Sequence, residues 1–345
     1  MSARPEKILA LQFKYLGDAV FLTPALRAIK EHLPDCELHV LVAAEVAPLL
    51  ENLSWIKKVW PLPRTRGQAR LRDSWPIIRA LRREKFDRVV DFGGNDRGAI
   101  LSFSAGAKVR LAPVDAGAGL VRKFCYTDTF PAEQLPESWV QRHLQLLSAW
   151  QIPPPKSLRL EIASDAKLAV GAAKLLPSGR ILCHLATSQP KKEWPSQRWA
   201  EFYRLATVAG FELVFSSGTN ERERGLLAEL KKLEPKILAL PPVTDLRLFL
   251  AVLQRADAVV SGDTGPLHFA AGLRVPIVGL FATSDSLRRA APVYRPEQIV
   301  AATGCACESR LKNFNVCEDA HPCMASISPE RVLSALKNNL AALRA

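Results

Sequence analysis

The sequence predicts an α/β chain of two domains, each a parallel sheet with helices on its faces. Three observations predict it. Short apolar runs alternate with helix-length amphipathic segments in both halves of the chain. Several runs lead through turn residues straight into a helix start, as at Gly17-Asp18 and in Ser261-Gly-Asp-Thr-Gly-Pro-Leu-His268. And 345 residues is long for one core and comfortable for two.

Taken in order, Lys7 to Phe13 reads as a short apolar strand, Lys14 to Asp18 as a loop, and Ala19 to Leu33 as a helix that tolerates Thr23-Pro24 if it begins near Pro24. Glu37 to Val42 is the next strand and Val46 to Leu53 a short helix. A crossover of this length implies parallel strands with a right-handed connection. Arg88 to Phe92 is a further strand, ending in Gly93-Gly94-Asn95, a turn whose glycines are more often structural than ligand-binding. Asp128 to Glu137 reads as a loop and Ser138 to Trp150 as a helix, from the spacing of Val140, Leu144 and Leu147. Pro153-Pro-Pro155 is a stiff, extended segment, which places a first domain over 1–155 and a second over 156–328.

In the second domain Ser164 to Leu176 is predicted helical, Arg180 to Leu185 a strand, and Arg198 to Ala209 a helix. Phe211 to Phe215 is a strand, Glu221 to Leu233 a charged helix, and Thr244 to Leu253 a helix capped by Thr244 or Asp245. Asp257 to Val260 leads into the Ser261 to His268 stretch, and Pro329 to Leu343 forms a last helix within a terminal segment over 329–345.

Composition excludes several classes. Apolar residues make up 48% of the chain, too many for a disordered protein. No run of about 18 apolar residues suggests a membrane span, and the N-terminus lacks the pattern of a signal peptide, so a cytoplasmic location is expected. Seven cysteines, an odd number, agree with a reducing compartment.

The formal charge of +13 implies an acidic partner. It is concentrated: eleven Lys or Arg against three acidic residues lie between Lys57 and Arg88, with Trp60 and Trp75 interleaved. That stretch, with Arg64 and Arg66, suits a loop lying on anionic headgroups or on a phosphorylated glycolipid. No motif of a nucleic-acid fold is present, so nucleic acid is not expected as a partner.

The chemistry gathers at the strand ends. In an open parallel sheet ligands bind outside the carboxyl ends of strands, where helix N-termini favour anions. Asp263 and Thr264 are then placed to read ligand hydroxyls, with phosphates on the helix whose first position suits Pro266 and which carries His268 two residues further in. The loop Ala186 to Pro195 offers Thr187, Ser188, Lys191 and Lys192, a cationic, donor-rich set suited to a diphosphate. Either acidic residue, Asp18 or Asp263, could instead simply cap the helix that follows it. Cys305, Cys307, Cys317 and Cys323 fall within 19 residues, enough ligands for a tetrahedral metal site, though buried free thiols fit equally.

Ser261 to His268 followed by Pro276 to Phe281, the Lys192-Glu-Trp-Pro195 loop, and the opening segment Ile8 to Pro24 with its Gly17-Asp18 together resemble glycosyltransferase family 9, the lipopolysaccharide heptosyltransferases. The resemblance runs from about Lys7 to Val332. It implies two Rossmann-like domains facing a cleft, the GT-B architecture, with the last helix packing back towards the first domain. It further implies inverting transfer of a heptose from ADP-heptose to the phosphorylated inner core of lipopolysaccharide, at the inner face of an anionic membrane and without a cofactor for the chemistry.

By the same resemblance Asp18 is the general base and Lys192, rather than Lys191, the phosphate contact. Glu221 is a candidate for the nucleotide's sugar, and the acceptor falls to Gly17 with Arg64 and Arg66. Residues 281–285, Phe-Ala-Thr-Ser-Asp, stand where the family usually has Phe-Gly-Pro-Thr-Asp. A different sugar nucleotide, or a non-catalytic nucleotide or glycan binder on this scaffold, is therefore kept as an alternative.

Overall fold

The computed structural model describes residues 4–13, 16–63, 75–282, 285–303 and 323–342; the side chains of Leu16, Asp18, Asp285 and Ser286 fall outside that description. Its contacts divide the chain into two units, Met1–Ala163 and Ser164–Ala345.

The first unit runs β1 (Lys7–Gln12), α1 (Leu16–Phe21), α2 (Thr23–His32), β2 (Glu37–Ala43), β3 (Lys58–Leu62), α3 (Trp75–Glu84), β4 (Arg88–Asp91), α4 (Asp96–Ala105), β5 (Val109–Val114), α5 (Leu120–Cys125), β6 (Asp128–Pro131) and α6 (Trp139–Leu147). Its six strands are ordered β3-β2-β1-β4-β5-β6, and every neighbouring pair is parallel. The central strands are buried along nearly their whole length, as expected of strands covered on both faces.

Local sequence sets the helix ends. Pro24 sits in the first turn of α2, where its missing N–H costs nothing, so the predicted single helix is two, separated at Leu22. Asn95 caps α4, its side chain accepting from the Gly98 N–H, and Gly106 ends that helix at φ 81°. Residues 46–53 form only the short 3-10 turn Ala47–Leu49, not a helix, and Asp128–Pro131 is an edge strand where a loop was expected.

The segment after Pro155 stays with the first unit. Leu160 and Ile162 are buried, the Glu161 N–H donates to Thr23 Oγ1 at 3.0 Å, and the Glu161 carboxylate accepts from Arg27 and from Trp55 Nε1. The division therefore falls eight residues beyond the proline run, because side chains and not backbone stiffness decide which core a segment joins.

The second unit runs α7 (Ala169–Leu175), β7 (Arg180–His184), α8 (Ser196–Val208), β8 (Glu212–Ser216), α9 (Glu221–Leu233), β9 (Leu238–Ala239), α10 (Leu246–Arg255), β10 (Ala258–Gly262), α11 (Gly265–Gly272), β11 (Ile277–Phe281), α12 (Asp285–Arg289), β12 (Ile299–Ala301) and α13 (Pro329–Ala341). Its order, β12-β11-β10-β7-β8-β9, repeats the first sheet's arrangement strand for strand, again all parallel. Trp194, Trp199, Phe202 and Phe215 fill one face of this sheet with edge-to-face and tilted ring contacts.

Helix α13 packs on this same sheet, against α8 and β11, with Val332 and Leu336 fully buried. Buried Asn339 donates from Nδ2 to the Ile277 carbonyl at 2.9 Å.

Candidate active site

In a sheet of order 3-2-1-4-5-6 the chain leaves in opposite directions from the two central strands, opening a crevice at their carboxyl ends. In the second unit those strands are β7 and β10. From β7 emerges the loop 185–195, and from β10 emerges Asp263.

The two segments meet. Lys192 Nζ donates to Asp263 Oδ2 at 2.6 Å, and both side chains are largely buried, at 14% and 6% exposure. His268, on the first turn and a half of α11, places Nε2 3.4 Å from the other carboxylate oxygen, Oδ1. Its Nδ1 faces the Tyr294 hydroxyl, and the two rings stack with centroids 6.0 Å apart. Burial alone raises the Asp263 carboxyl. The His268 ring and the Lys192 ammonium outweigh it and hold the group well below the usual carboxylate range.

Close backbone approach makes this possible. A Cβ on Gly262 would lie 2.8 Å from Thr187 Cγ2 and 3.2 Å from the Lys192 carbonyl oxygen, so only glycine lets β10 pass under the loop. The loop is itself tied down. Thr187 Oγ1 donates to the Gln189 carbonyl at 2.6 Å, and Arg222, in the first turn of α9, donates to the Thr187 carbonyl at 2.6 Å and to Glu193 Oε1 at 2.5 Å. Trp194 is buried and anchors the loop's far end by donating to the Ile327 carbonyl at 3.1 Å.

Of the predicted donor residues, Lys192, Asp263 and His268 are thus in one network, and Thr187 belongs to the loop that carries Lys192. Ser188 is exposed beside it, and Thr264 and Gly265 open α11 with Thr264 in extended backbone and Pro266 in the first turn. Glu221 is exposed; its neighbour Arg222 makes the loop contacts. The sequence singled out neither Arg222 nor Glu193, and a Glu-Arg-Glu-Arg helix start gives no reason to choose one charge over another.

In the first unit the corresponding strands are β1 and β4. Gly17 is half-buried in α1, just past the end of β1, and Asp18 lies in the same helix with its side chain outside the described residues. At the end of β4, Asp91 is fully buried and accepts from the Tyr126 hydroxyl at 2.6 Å and the Gly93 N–H at 2.8 Å. Burial, with the Asp91 charge and hydrogen bond, pushes the Tyr126 hydroxyl far up.

The glycines here are structural, as expected. A Cβ on Gly98 would fall 1.9 Å from Asp91 Oδ2, and Gly94, at φ +62°, would meet the Pro113 carbonyl oxygen at 2.2 Å. They let a buried carboxylate sit under the start of α4.

Arg64 and Arg66 lie outside the described residues, as do Cys305, Cys307 and Cys317. Cys323 is buried in the apolar core beside Met324 and Ile327. Among the described residues no group of three or more His, Cys, Asp or Glu is placed to hold a metal ion, and three of the four candidate cysteines lie outside them, so the possible structural metal is unsupported.

Comparison with known proteins bears on the fold and the family. Lipopolysaccharide heptosyltransferase 2 of Escherichia coli is 23% identical over 96% of this chain and 97% of its own length. Two solved structures share the fold: the glycosyl transferase family 9 protein of Veillonella parvula, with a TM-score of 0.83 at 18% identity over 99% of each chain, and the E. coli ADP-heptose lps heptosyltransferase II, with a TM-score of 0.75 at 20% identity over 98% of this chain and 100% of that one. Neighbours of this kind carry the GT-B fold of two Rossmann-like domains. The profile of Glycosyltransferase family 9 (heptosyltransferase) matches residues 74–319, and the chain belongs to that family and is a glycosyltransferase.

Proposed function

We propose that this enzyme transfers a heptose from ADP-heptose to the inner core of lipopolysaccharide, with inversion at the anomeric carbon. The observation that carries the proposal is the Lys192–Asp263–His268 cluster at the crevice of the second sheet, in a chain of a heptosyltransferase family. The nearly buried ammonium of Lys192 is held by a carboxylate that stays ionised, and it supplies positive charge where a departing nucleoside diphosphate accumulates negative charge. Backbone N–H groups of Thr264 and Gly265, at the start of α11, add to it. Thr187, Ser188 and Glu221 supply further donors and acceptors for the nucleotide.

Asp18 is the proposed general base, taking the acceptor hydroxyl's proton as the new glycosidic bond forms. Gly17, Arg64 and Arg66 are the proposed acceptor contacts, the arginines pairing with core phosphates. The proposed place of transfer is the surface of an anionic bilayer, where a lipid-anchored acceptor is met.

A second donor reading has its own observation. Residues 281–285 lack the usual Gly-Pro in sequence, a departure that favours a different sugar nucleotide.

A melting-temperature panel separates the two. The largest rise with ADP and ADP-heptose supports the first. The largest rise with UDP- or GDP-sugars keeps the transferase and replaces the donor.

A further inference from the structure

Large apolar side chains are exposed together at one place on the first unit. Leu120 is 85% exposed, Phe124 73%, Val121 45% and Phe103 44%. Phe124 follows Leu120 by four positions and Val121 by three, so each shares a face of α5 with it, while Cys125, at the end of the helix, is buried with Ala99 of α4 and Ala112 of β5. Phe103, on the last turn of α4, brings its ring to 5.5 Å from that of Phe124, so the four form one patch.

The patch is rimmed by cations. Lys123 is exposed within it, and the Arg110 guanidinium lies 5.6 Å from the Phe103 ring. Arg82 donates to the carbonyl of Ser104, the residue after Phe103. Beyond it, Ala105 and Gly106 line a cleft of about 550 Å³ that also takes in Arg82, Lys85 and Lys108. The acidic residues of that cleft are engaged already, Asp87 with Arg4 at 2.6 Å and Glu6 with Arg88 at 2.7 Å. Among the described residues no carboxylate pairs with Arg82, Lys85, Lys108 or Lys123.

Protruding aromatic and aliphatic side chains beside unpaired cations are complementary to one partner surface, an anionic lipid bilayer: the rings enter the acyl boundary and the cations meet phosphate headgroups. A protein partner for so basic a rim would have to bring its own acidic ring. We propose that the face formed by α5 and the end of α4, with the adjoining basic cleft, is the membrane-docking surface of this enzyme. It rests on the reading that the acceptor is lipid-anchored, and it assigns the bilayer contact to described residues outside the basic sequence at 64–74.

The test is co-sedimentation of the full chain with vesicles of phosphatidylethanolamine and phosphatidylglycerol, with phosphatidylcholine vesicles alongside. Binding is expected to the anionic vesicles only, weakening as salt rises. Leu120→Ser with Phe124→Ser, and separately Lys85→Glu with Lys108→Glu, should each lower vesicle affinity about tenfold or more. Both double variants should keep wild-type melting temperature and wild-type transfer to a delipidated, soluble acceptor.

Wild-type affinity in both variants, or no binding of the wild type to anionic vesicles, overturns the proposal. So does a concentration-dependent dimer that Leu120→Ser with Phe124→Ser abolishes, since a second copy would then cover the patch. Loss of transfer with vesicle binding intact would instead count against the donor or acceptor assignment.

Discussion

Lys192 and Asp263 stand 71 positions apart in the chain, yet Lys192 Nζ lies 2.6 Å from Asp263 Oδ2 in a place almost closed to solvent. The pair joins the loop after β7 to the tip of β10. Lys192→Met should lower kcat/KM for sugar transfer about 10²–10³-fold, the loss expected when one charge-stabilising group is removed from the leaving group. It should also cost about 1–3 kcal/mol of stability, because Asp263 is left buried with the His268 ring as its remaining side-chain partner. Lys191→Met should leave kcat/KM within a few-fold of wild type, measured by the same assay.

Gly262→Ala tests the close approach of strand and loop. The added methyl must displace Thr187 Cγ2, 2.8 Å away, or the Lys192 carbonyl, 3.2 Å away. Because Thr187 is buried and Lys192 is held by Asp263, the expected outcome is a raised donor KM together with a stability loss of roughly 1–3 kcal/mol in chemical unfolding. Unchanged kinetics would mean that the loop is free to shift.

Arg222 and Glu221 are neighbours with different expected effects. Arg222→Ala removes two donors from the loop backbone and from Glu193, and should raise donor KM while making the loop a faster site of proteolytic nicking. Glu221→Gln removes one proposed contact to the nucleotide's sugar and should raise donor KM about 2–10-fold with loop proteolysis unchanged. A steady-state comparison of the two variants, with limited proteolysis, separates holding the loop from touching the ligand.

His184, at the end of β7, predicts an acid-sensitive fold. Burial lowers its pKa from the ordinary 6.5 to about 4, while its Nδ1 pairs with Ser216 Oγ at 2.9 Å. The unfolded chain therefore binds a proton between those values that the folded chain does not. Stability is full above pH 6.5 and declines as pH falls towards 4, by up to roughly 3 kcal/mol. Denaturant melts of wild type and His184→Gln across that window should show a shallower pH slope in the variant.

In the first unit, Gly98→Ala and Gly94→Ala should each destabilise by roughly 2–4 kcal/mol, the first by striking the Asp91 carboxylate and the second by straining a left-handed turn against Pro113. Tyr126→Phe is the milder change, about 1–2 kcal/mol, since it removes one donor from Asp91 and keeps the packing. Thermal unfolding of the three variants checks the order.

Much of this fold was legible because central strands announce themselves. β1, β7 and β10 each carry a short apolar run, and Pro266 marks the start of α11 by a rule that holds locally. The edges were not. β3 and β6 carry Pro61 and Pro131 and lie at the two margins of their sheet, where proline is tolerated, so their sequences read as loops. β5 and α5, with Pro113 and only six residues each, fell below the length at which periodicity speaks.

At the site the strand tips were legible and their partnerships were not. Asp263 and Lys192 could each be named from their loops, but their pairing follows from the order of strands in the sheet. Trp194 looked like part of a phosphate loop, and its indole turns out to fasten that loop to Ile327 ahead of α13. Asp91 was hidden because its partners, Tyr126 and Gly93, come from two different connections of the same sheet.

The most direct test is acceptor-dependent release of ADP from ADP-heptose by the purified enzyme, using a phosphorylated inner-core acceptor. The account predicts release that requires the acceptor, disappears in Asp18→Ala with donor binding retained, and falls about 10²–10³-fold in Lys192→Met. Near wild-type release in both variants, or transfer from a UDP- or GDP-sugar in place of ADP-heptose, would contradict it.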